Sequence, residues 1–301
     1  MKDYPTKGIV PPMVTPLLDQ DTLDVGGLEK LVDHLVTGGV HGLFIMGTTG
    51  EGPSLSYRLR EELIQRTCSL AKNRVPVLVG ITDTSMVEAL RIAKTAEKEG
   101  AAALVLAPPF YFNITDQELR EYMDEVLEQI QLPLFLYNMP PLTKKSIPLP
   151  MINELAHRPE VVGVKDSSGD LFYFHKLNRL GNRQQYSLLV GPEELLMETL
   201  LLGADGGVPG GANIFPQLYV DLFETIGEGN IDRGRKLHNR IVELCSVVYD
   251  GTEQSSGNII SGIKQALSYR NICSSAVAHP LQKVSKKKAN RIKSFIEEYT
   301  D

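Results

Sequence analysis

Apolar residues along the chain gather in short unbroken runs separated by longer stretches with a different spacing. The runs are 8–17 (GIVPPMVTPL), 41–47 (HGLFIMG), 75–81 (VPVLVGI), 102–108 (AALVLAP), 133–138 (PLFLYN), 161–167 (VVGVKDS), 186–191 (YSLLVG) and 205–210 (DGGVPG). Each is too continuous for a half-exposed strand, and such runs, mostly rich in Val, Ile and Leu, are what parallel strands buried on both faces look like.

Between the runs the period becomes helical. Leu119, Tyr122, Met123, Val126, Leu127 and Ile130 recur at three- and four-residue steps behind Thr115-x-x-Glu118, a capping-box pattern. Leu59, Leu63 and Leu70 mark one face of a second such stretch, 58–71. Strand and helix alternate at intervals of about 30 residues, the length of one βα unit. The strand count matches a closed (β/α)8 TIM barrel of α/β class better than an open doubly wound sheet. Past residue 225 the strand-like runs cease, and KLHNRIVELCSVVY and KKKANRIKSFIEEY continue as helices. The expected division is a catalytic barrel over 1–224 and a C-terminal helical region over 225–301, packed on the barrel because no low-complexity linker separates them.

Composition narrows the ligand class. The chain has 301 residues, 42% hydrophobic and 23% charged, with a net charge of -6. That length supports one large domain with an appendage. The charge balance leaves no broad basic surface, so neither nucleic acid nor an anionic membrane is expected as partner, and small molecules are. No run of 18 apolar residues occurs and the start, MKDYPTK, has no apolar segment, which predicts a cytoplasmic protein with no membrane span. Cys68, Cys245 and Cys273 are far apart and the six histidines are scattered without HExxH or HxH spacing. Reduced thiols, no metal and no cofactor are expected.

In a barrel of this type the chemistry lies at the carboxyl ends of the strands. The sixth run ends in Lys165, approached through Val161, Val162, Gly163 and Val164. A lysine in such surroundings is desolvated, which lowers its pKa and supplies the neutral amine that attacks a ketone. The alternative is a buried lysine paired with Asp166 or another carboxylate. Tyr137 ends the neighbouring run, where a phenol can donate and accept a proton; packing alone is the other reading. Gly47-Thr48-Thr49-Gly50 places backbone N–H groups and two hydroxyls at the mouth, suited to the carboxylate of a keto acid, or makes a plain turn.

Together, GTTGE at 47–51, YN-x-P at 137–140, KDSSGD at 165–170 and DGGVPGGAN at 205–213 resemble, in order and spacing, the dihydrodipicolinate synthase and N-acetylneuraminate lyase superfamily of class I pyruvate-dependent aldolases. The resemblance implies that Lys165 forms an imine with pyruvate and Tyr137 shuttles the proton. Thr48 and Thr49, with Gly47 in the same turn, match the carboxylate-binding pair, the Thr48 hydroxyl also relaying protons from Tyr137. Tyr111, in PPFYF, matches a loop tyrosine that reaches into a neighbouring subunit's site. Val208 matches a position whose backbone carbonyl lies near the catalytic lysine. A homotetramer built as a dimer of dimers is implied as well.

Two segments bear on the substrate. Synthases of this superfamily usually carry an arginine shortly after YN-x-P to hold the carboxylate of aspartate semialdehyde, and this chain has Leu142 there. A leucine cannot pair with a carboxylate. Gly191-Pro192-Glu193-Glu194 resembles the acidic pair that sugar-acid lyases place near substrate hydroxyls, although acids at a helix start are also favoured by its dipole. The reading is a Schiff-base lyase or aldolase that uses pyruvate and an aldehyde, acting on a 2-keto-3-deoxy sugar acid or a related 4-hydroxy-2-keto acid. The alternatives are dihydrodipicolinate synthase, a dehydratase working on the same imine, and a non-catalytic barrel that binds a keto acid. A sugar-phosphate barrel fits less well, since the stretch 206–211 carries no Lys or Arg.

Overall fold

The computed structural model describes residues 7–181, 183–250 and 256–299. The expectation drawn from the start of the chain falls on residues 1–6, outside the described residues. The strands are β1 (Gly8–Ile9), β2 (Leu43–Ile45), β3 (Val77–Gly80), β4 (Ala103–Leu106), β5 (Leu134–Asn138), β6 (Val161–Asp166), β7 (Ser187–Val190) and β8 (Gly206–Gly207). They pair in the order β1-β8-β7-β6-β5-β4-β3-β2, and each pairing is parallel. The two ends are joined by backbone hydrogen bonds: His41 N–H to Ile9 O at 2.8 Å, Phe44 N–H to Pro11 O at 3.0 Å and Met13 N–H to Phe44 O at 2.8 Å. The sheet therefore closes, and the chain is a (β/α)8 barrel.

The first run was expected to be a strand over 8–17, but only its first two residues pair as one. Pro11 and Pro12 carry no N–H, so the segment can offer carbonyls but cannot sustain a ladder. Elsewhere the strands follow the apolar runs within a few residues.

Around the barrel run α1 (Val25–Thr37), α2 (Tyr57–Ala71), α3 (Met86–Lys98), α4 (Asp116–Gln129), α5 (Pro140–Thr143), α6 (Leu149–Leu155), α7 (Leu171–Leu177), α8 (Leu196–Leu201) and α9 (Pro216–Gly227). The capping box at the start of α4 forms: Glu118 N–H donates to Thr115 Oγ1 at 3.2 Å and Thr115 N–H to Glu118 Oε2 at 2.7 Å. Leu119, Met123, Val126 and Leu127 are the buried face of that helix. Then come α10 (Ile231–Val248), α11 (Ser256–Tyr269) and α12 (Lys286–Glu298). The division expected after residue 224 falls inside α9. Among the described residues no helix is long and apolar enough to cross a membrane.

Two apolar layers result. Alternate strand residues point outward against the helices, where they form the larger core. The others fill the lumen, which holds Val10, Phe44, Ala103, Val105, Phe135, Tyr137, Leu189 and Val208. Gly163 marks how tightly that lumen is packed, since a Cβ there would stand 2.1 Å from the Phe135 ring.

Candidate active site

In β5 and β6, Tyr137 lies opposite Lys165 and Asn138 opposite Asp166. Because strand side chains alternate in direction, one register sends Tyr137 and Lys165 into the lumen together and Asn138 and Asp166 out toward the helices. Inside, Lys165 Nζ lies 3.9 Å from the centroid of the Tyr137 ring and 4.8 Å from that of Phe44. Both Lys165 and Tyr137 are 6% exposed. Burial is the largest influence on Lys165 and lowers its pKa below that of an ordinary ammonium, with the Tyr137 oxygen opposing it. Burial pushes the Tyr137 phenol up, but Lys165 and hydrogen bonds from Thr48, Ser167 and Lys165 outweigh it and bring its pKa down. The pair thus shares a proton: neutral amine with phenol, or ammonium with phenolate.

On the outer face Asp166 is fully occupied elsewhere. Its carboxylate accepts from Asn138 Nδ2 at 2.9 Å, Ser168 N–H at 3.2 Å and Ser168 Oγ at 3.0 Å. Asn138 Oδ1 in turn accepts from Ile147 N–H at 3.0 Å and Ser146 Oγ at 3.2 Å. The alternative in which Lys165 pairs with Asp166 is therefore set aside by strand alternation. This outer network instead anchors the ends of β5 and β6 to the segments that follow them.

The GTTGE turn arises from a kink at Met46, whose left-handed φ of 59° takes the chain out of β2. Gly52 N–H bonds Gly47 O at 3.2 Å and Glu51 N–H bonds Thr48 O at 3.0 Å, closing the turn. A Cβ on Gly52 would stand 2.3 Å from Met46 O, so only glycine allows this closure. Thr48 and Thr49 are half-buried at the mouth, and the Thr48 hydroxyl meets that of Tyr137. Val208 is 4% exposed and packs in the lumen cluster that contains Tyr137.

Other expected site residues stand apart from this cluster. Tyr111 is 85% exposed, with a φ of 93° that tyrosine rarely adopts, and meets Phe112 edge-to-face at 5.1 Å. Glu193 was expected near substrate hydroxyls, but its buried carboxylate faces α10: Oε2 accepts Gly211 N–H at 2.8 Å and Oε1 accepts Cys245 Sγ at 3.1 Å. The Tyr219 and Tyr249 hydroxyls converge on it, and burial pushes its pKa up. Glu194 is exposed, in a 3-10 turn leading into α8, the helix-start arrangement weighed as its alternative. Leu142 lies in α5 and is 41% exposed. Ser167 had no role assigned from sequence; a two-residue step from Lys165 places it on the same strand face, which is the signal that could have found it. Glu51, the last residue of GTTGE, was also unassigned and is 2% exposed.

A lumen holding one desolvated amine, a phenol ring packed against it and a turn rich in N–H and hydroxyl donors can form an imine with a carbonyl whose carboxylate is held nearby. Known proteins agree with that chemistry. The chain is similar to the solved structure of dihydrodipicolinate synthase from Bacteroides thetaiotaomicron, 45% identical, covering 98% of this chain and 99% of that one with a TM-score of 0.93. It is similar to the structure of YagE from Escherichia coli in complex with pyruvate, 26% identical, covering 97% and 98% with a TM-score of 0.90. An Escherichia coli relative named "Probable 2-dehydro-3-deoxy-D-pentonate aldolase YjhH" is 30% identical over 243 residues, 80% of this chain and 81% of that protein. The dihydrodipicolinate synthetase family model matches residues 5–299. With that match over nearly its whole length, the chain belongs to the dihydrodipicolinate synthetase family and is a lyase of the class I aldolase type.

Proposed function

We propose that this chain is a pyruvate-dependent aldolase that reversibly cleaves a 2-keto-3-deoxy sugar acid or a related 4-hydroxy-2-keto acid, with Lys165 as the Schiff-base lysine. The observation that carries the reading is the buried Lys165 amine against the Tyr137 phenol, with the Thr48 hydroxyl on that phenol. In the direction of cleavage, the neutral amine adds to the C2 ketone, and loss of water gives the protonated imine, with Tyr137 moving the proton. The C4 hydroxyl gives its proton to the Tyr137 oxygen as the C3–C4 bond breaks; the electron pair passes into the imine and an aldehyde departs. Protonation of the resulting enamine at C3 and hydrolysis release pyruvate. Thr48 and Thr49 hold the substrate carboxylate, and Val208 lines the lumen in the cluster that contains Tyr137.

Leu142 favours this branch over the synthase, because it offers no charge to an anionic semialdehyde. The synthase remains the second reading, favoured by the 45% identity to a structure of that name. A dehydratase would use the same imine as electron sink. A non-catalytic keto-acid binder would have no use for the proton relay of Tyr137 and Thr48. We propose further that the functional unit is a homotetramer, a dimer of dimers in which the exposed Tyr111 enters a neighbour's site, and that the protein is cytoplasmic, its three cysteines being free thiols. The test is a mass-spectrometric product screen with pyruvate and either hydroxy-aldehydes or aspartate semialdehyde, with Lys165→Ala as control. A Lys165-dependent hydroxy-aldehyde product is expected; a product from the semialdehyde alone overturns the aldolase reading in favour of the synthase.

A further inference from the structure

The turn that the proposed function assigns to the substrate carboxylate is held in place from outside the barrel. Glu51 closes that turn and has a left-handed backbone, φ 58°. Its side chain forms an ion pair with Lys264 of α11, and neither side chain has any exposed surface, 0% for both. The Glu51 Oε2 atom also accepts Ala278 N–H at 2.7 Å, and Lys264 Nζ donates to Ala276 O at 2.7 Å. From the other side, buried Thr15 Oγ1 donates to Gly50 O at 2.6 Å. The 274–279 segment is itself tied to the start of the barrel, Ser274 Oγ bonding Leu17 O and His279 N–H bonding Gln20 Oε1 at 2.7 Å.

A wholly buried ion pair is a poor device for stability alone, because apolar residues of similar volume serve as well or better. Its distinctive property is geometric. One carboxylate must meet an ammonium and a particular N–H at once, which fixes the backbone that carries it. That backbone is three residues from Thr48 and two from Thr49 in the sequence, and the turn hydrogen bond from Glu51 N–H to Thr48 O transmits its position directly.

We propose that Glu51 and Lys264 are positioning residues for the substrate-carboxylate site: the buried pair sets where Thr48 and Thr49 stand relative to Lys165, making the C-terminal helices part of the active-site construction. This rests on the assignment of Thr48 and Thr49 to the carboxylate. Neither Glu51 nor Lys264 touches substrate. The consequence is selective: loss of the pair weakens ketones that carry a carboxylate and spares those that do not.

The experiment titrates borohydride-trapped adduct, read by intact-protein mass, against pyruvate and separately against hydroxyacetone, a neutral ketone of similar size. In Lys264→Met and Glu51→Gln the half-saturating pyruvate concentration rises on the order of tenfold or more, while that for hydroxyacetone holds. The double variant Glu51→Gln/Lys264→Met leaves no unpaired buried charge, so it reports the same selective loss even if a single variant fails to fold. Equal weakening of both ketones, or an unchanged pyruvate titration in a folded variant, overturns the proposal. Absence of any Lys165-dependent adduct in the unaltered protein overturns the parent reading and this one with it.

Discussion

Replacing Tyr137 by Phe removes one oxygen and keeps the ring that packs beside Lys165. The hydroxyl meets Thr48, Ser167 and Lys165, and Thr48 and Ser167 are half-buried, so water can take over part of the lost bonding. The stability loss is therefore that of about one net hydrogen bond, ~1 kcal/mol, or about 2 °C in melting temperature for a chain of this size. Turnover should fall far more, by about 10² to 10⁴, the usual contribution of a positioned acid–base group, which is about 3–5.5 kcal/mol of barrier. The same change moves the amine in a definite direction. Burial lowers the Lys165 pKa and Tyr137 opposes it, so without the phenol oxygen the pKa falls further and the neutral amine persists to lower pH. Equilibrium trapping of the pyruvate imine by borohydride should then extend to more acid pH in Tyr137→Phe, while steady-state turnover collapses. A turnover within tenfold of the unaltered enzyme, or an acid limb displaced toward higher pH, refutes the assigned role.

Lys165→Met should abolish the adduct and yet raise the melting temperature near neutral pH. The folded-state pKa of Lys165 lies below its ordinary 10.5, so the unfolded chain binds the extra proton and the buried lysine weakens the fold. That penalty is full below the folded pKa and disappears as pH rises toward 10.5; calorimetry should show the variant's advantage shrinking along that window, and a pH-independent gain would contradict it. Asp166→Ala strands the buried Asn138 amide and Ser168 N–H and should lower unfolding free energy in urea by about 2–4 kcal/mol. Its pyruvate-adduct pH profile should stay where it is; a shift would mean that Lys165 senses Asp166 after all. Leu142→Arg supplies a cation on the short helix that follows β5 and should improve kcat/KM for aspartate semialdehyde relative to glyceraldehyde by about tenfold, the effect of ~1.4 kcal/mol. No change in that ratio would remove Leu142 from the specificity argument.

The barrel was legible because parallel strands buried on both faces must be continuously apolar and must alternate with helices, whatever the details of their packing. Lys165 and Tyr137 were legible for a related reason. A strand-end lysine led in by valines has few ways to be solvated, and a neighbouring strand end is the nearest place for a proton partner. Position in the sequence could not say whether Lys165 would meet Asp166 or Tyr137; the strand register could, since adjacent residues on one strand face opposite ways.

Glu193 shows the other limit. An acidic pair after a strand has the same local pattern whether it faces substrate or packs a helix, and only the arrival of Cys245, Tyr219 and Gly211 around it decided for packing. The Glu51–Lys264 pair was invisible for the same reason, because Glu51 follows β2 while Lys264 lies beyond β8, and the two are joined only by folding. The architecture, the lysine and its phenol were readable from the residues alone, since those follow from short-range burial and period. Which carboxylates pack against helices and what holds the Thr48–Thr49 turn emerged only on folding, since those depend on long-range contacts that no local spacing encodes.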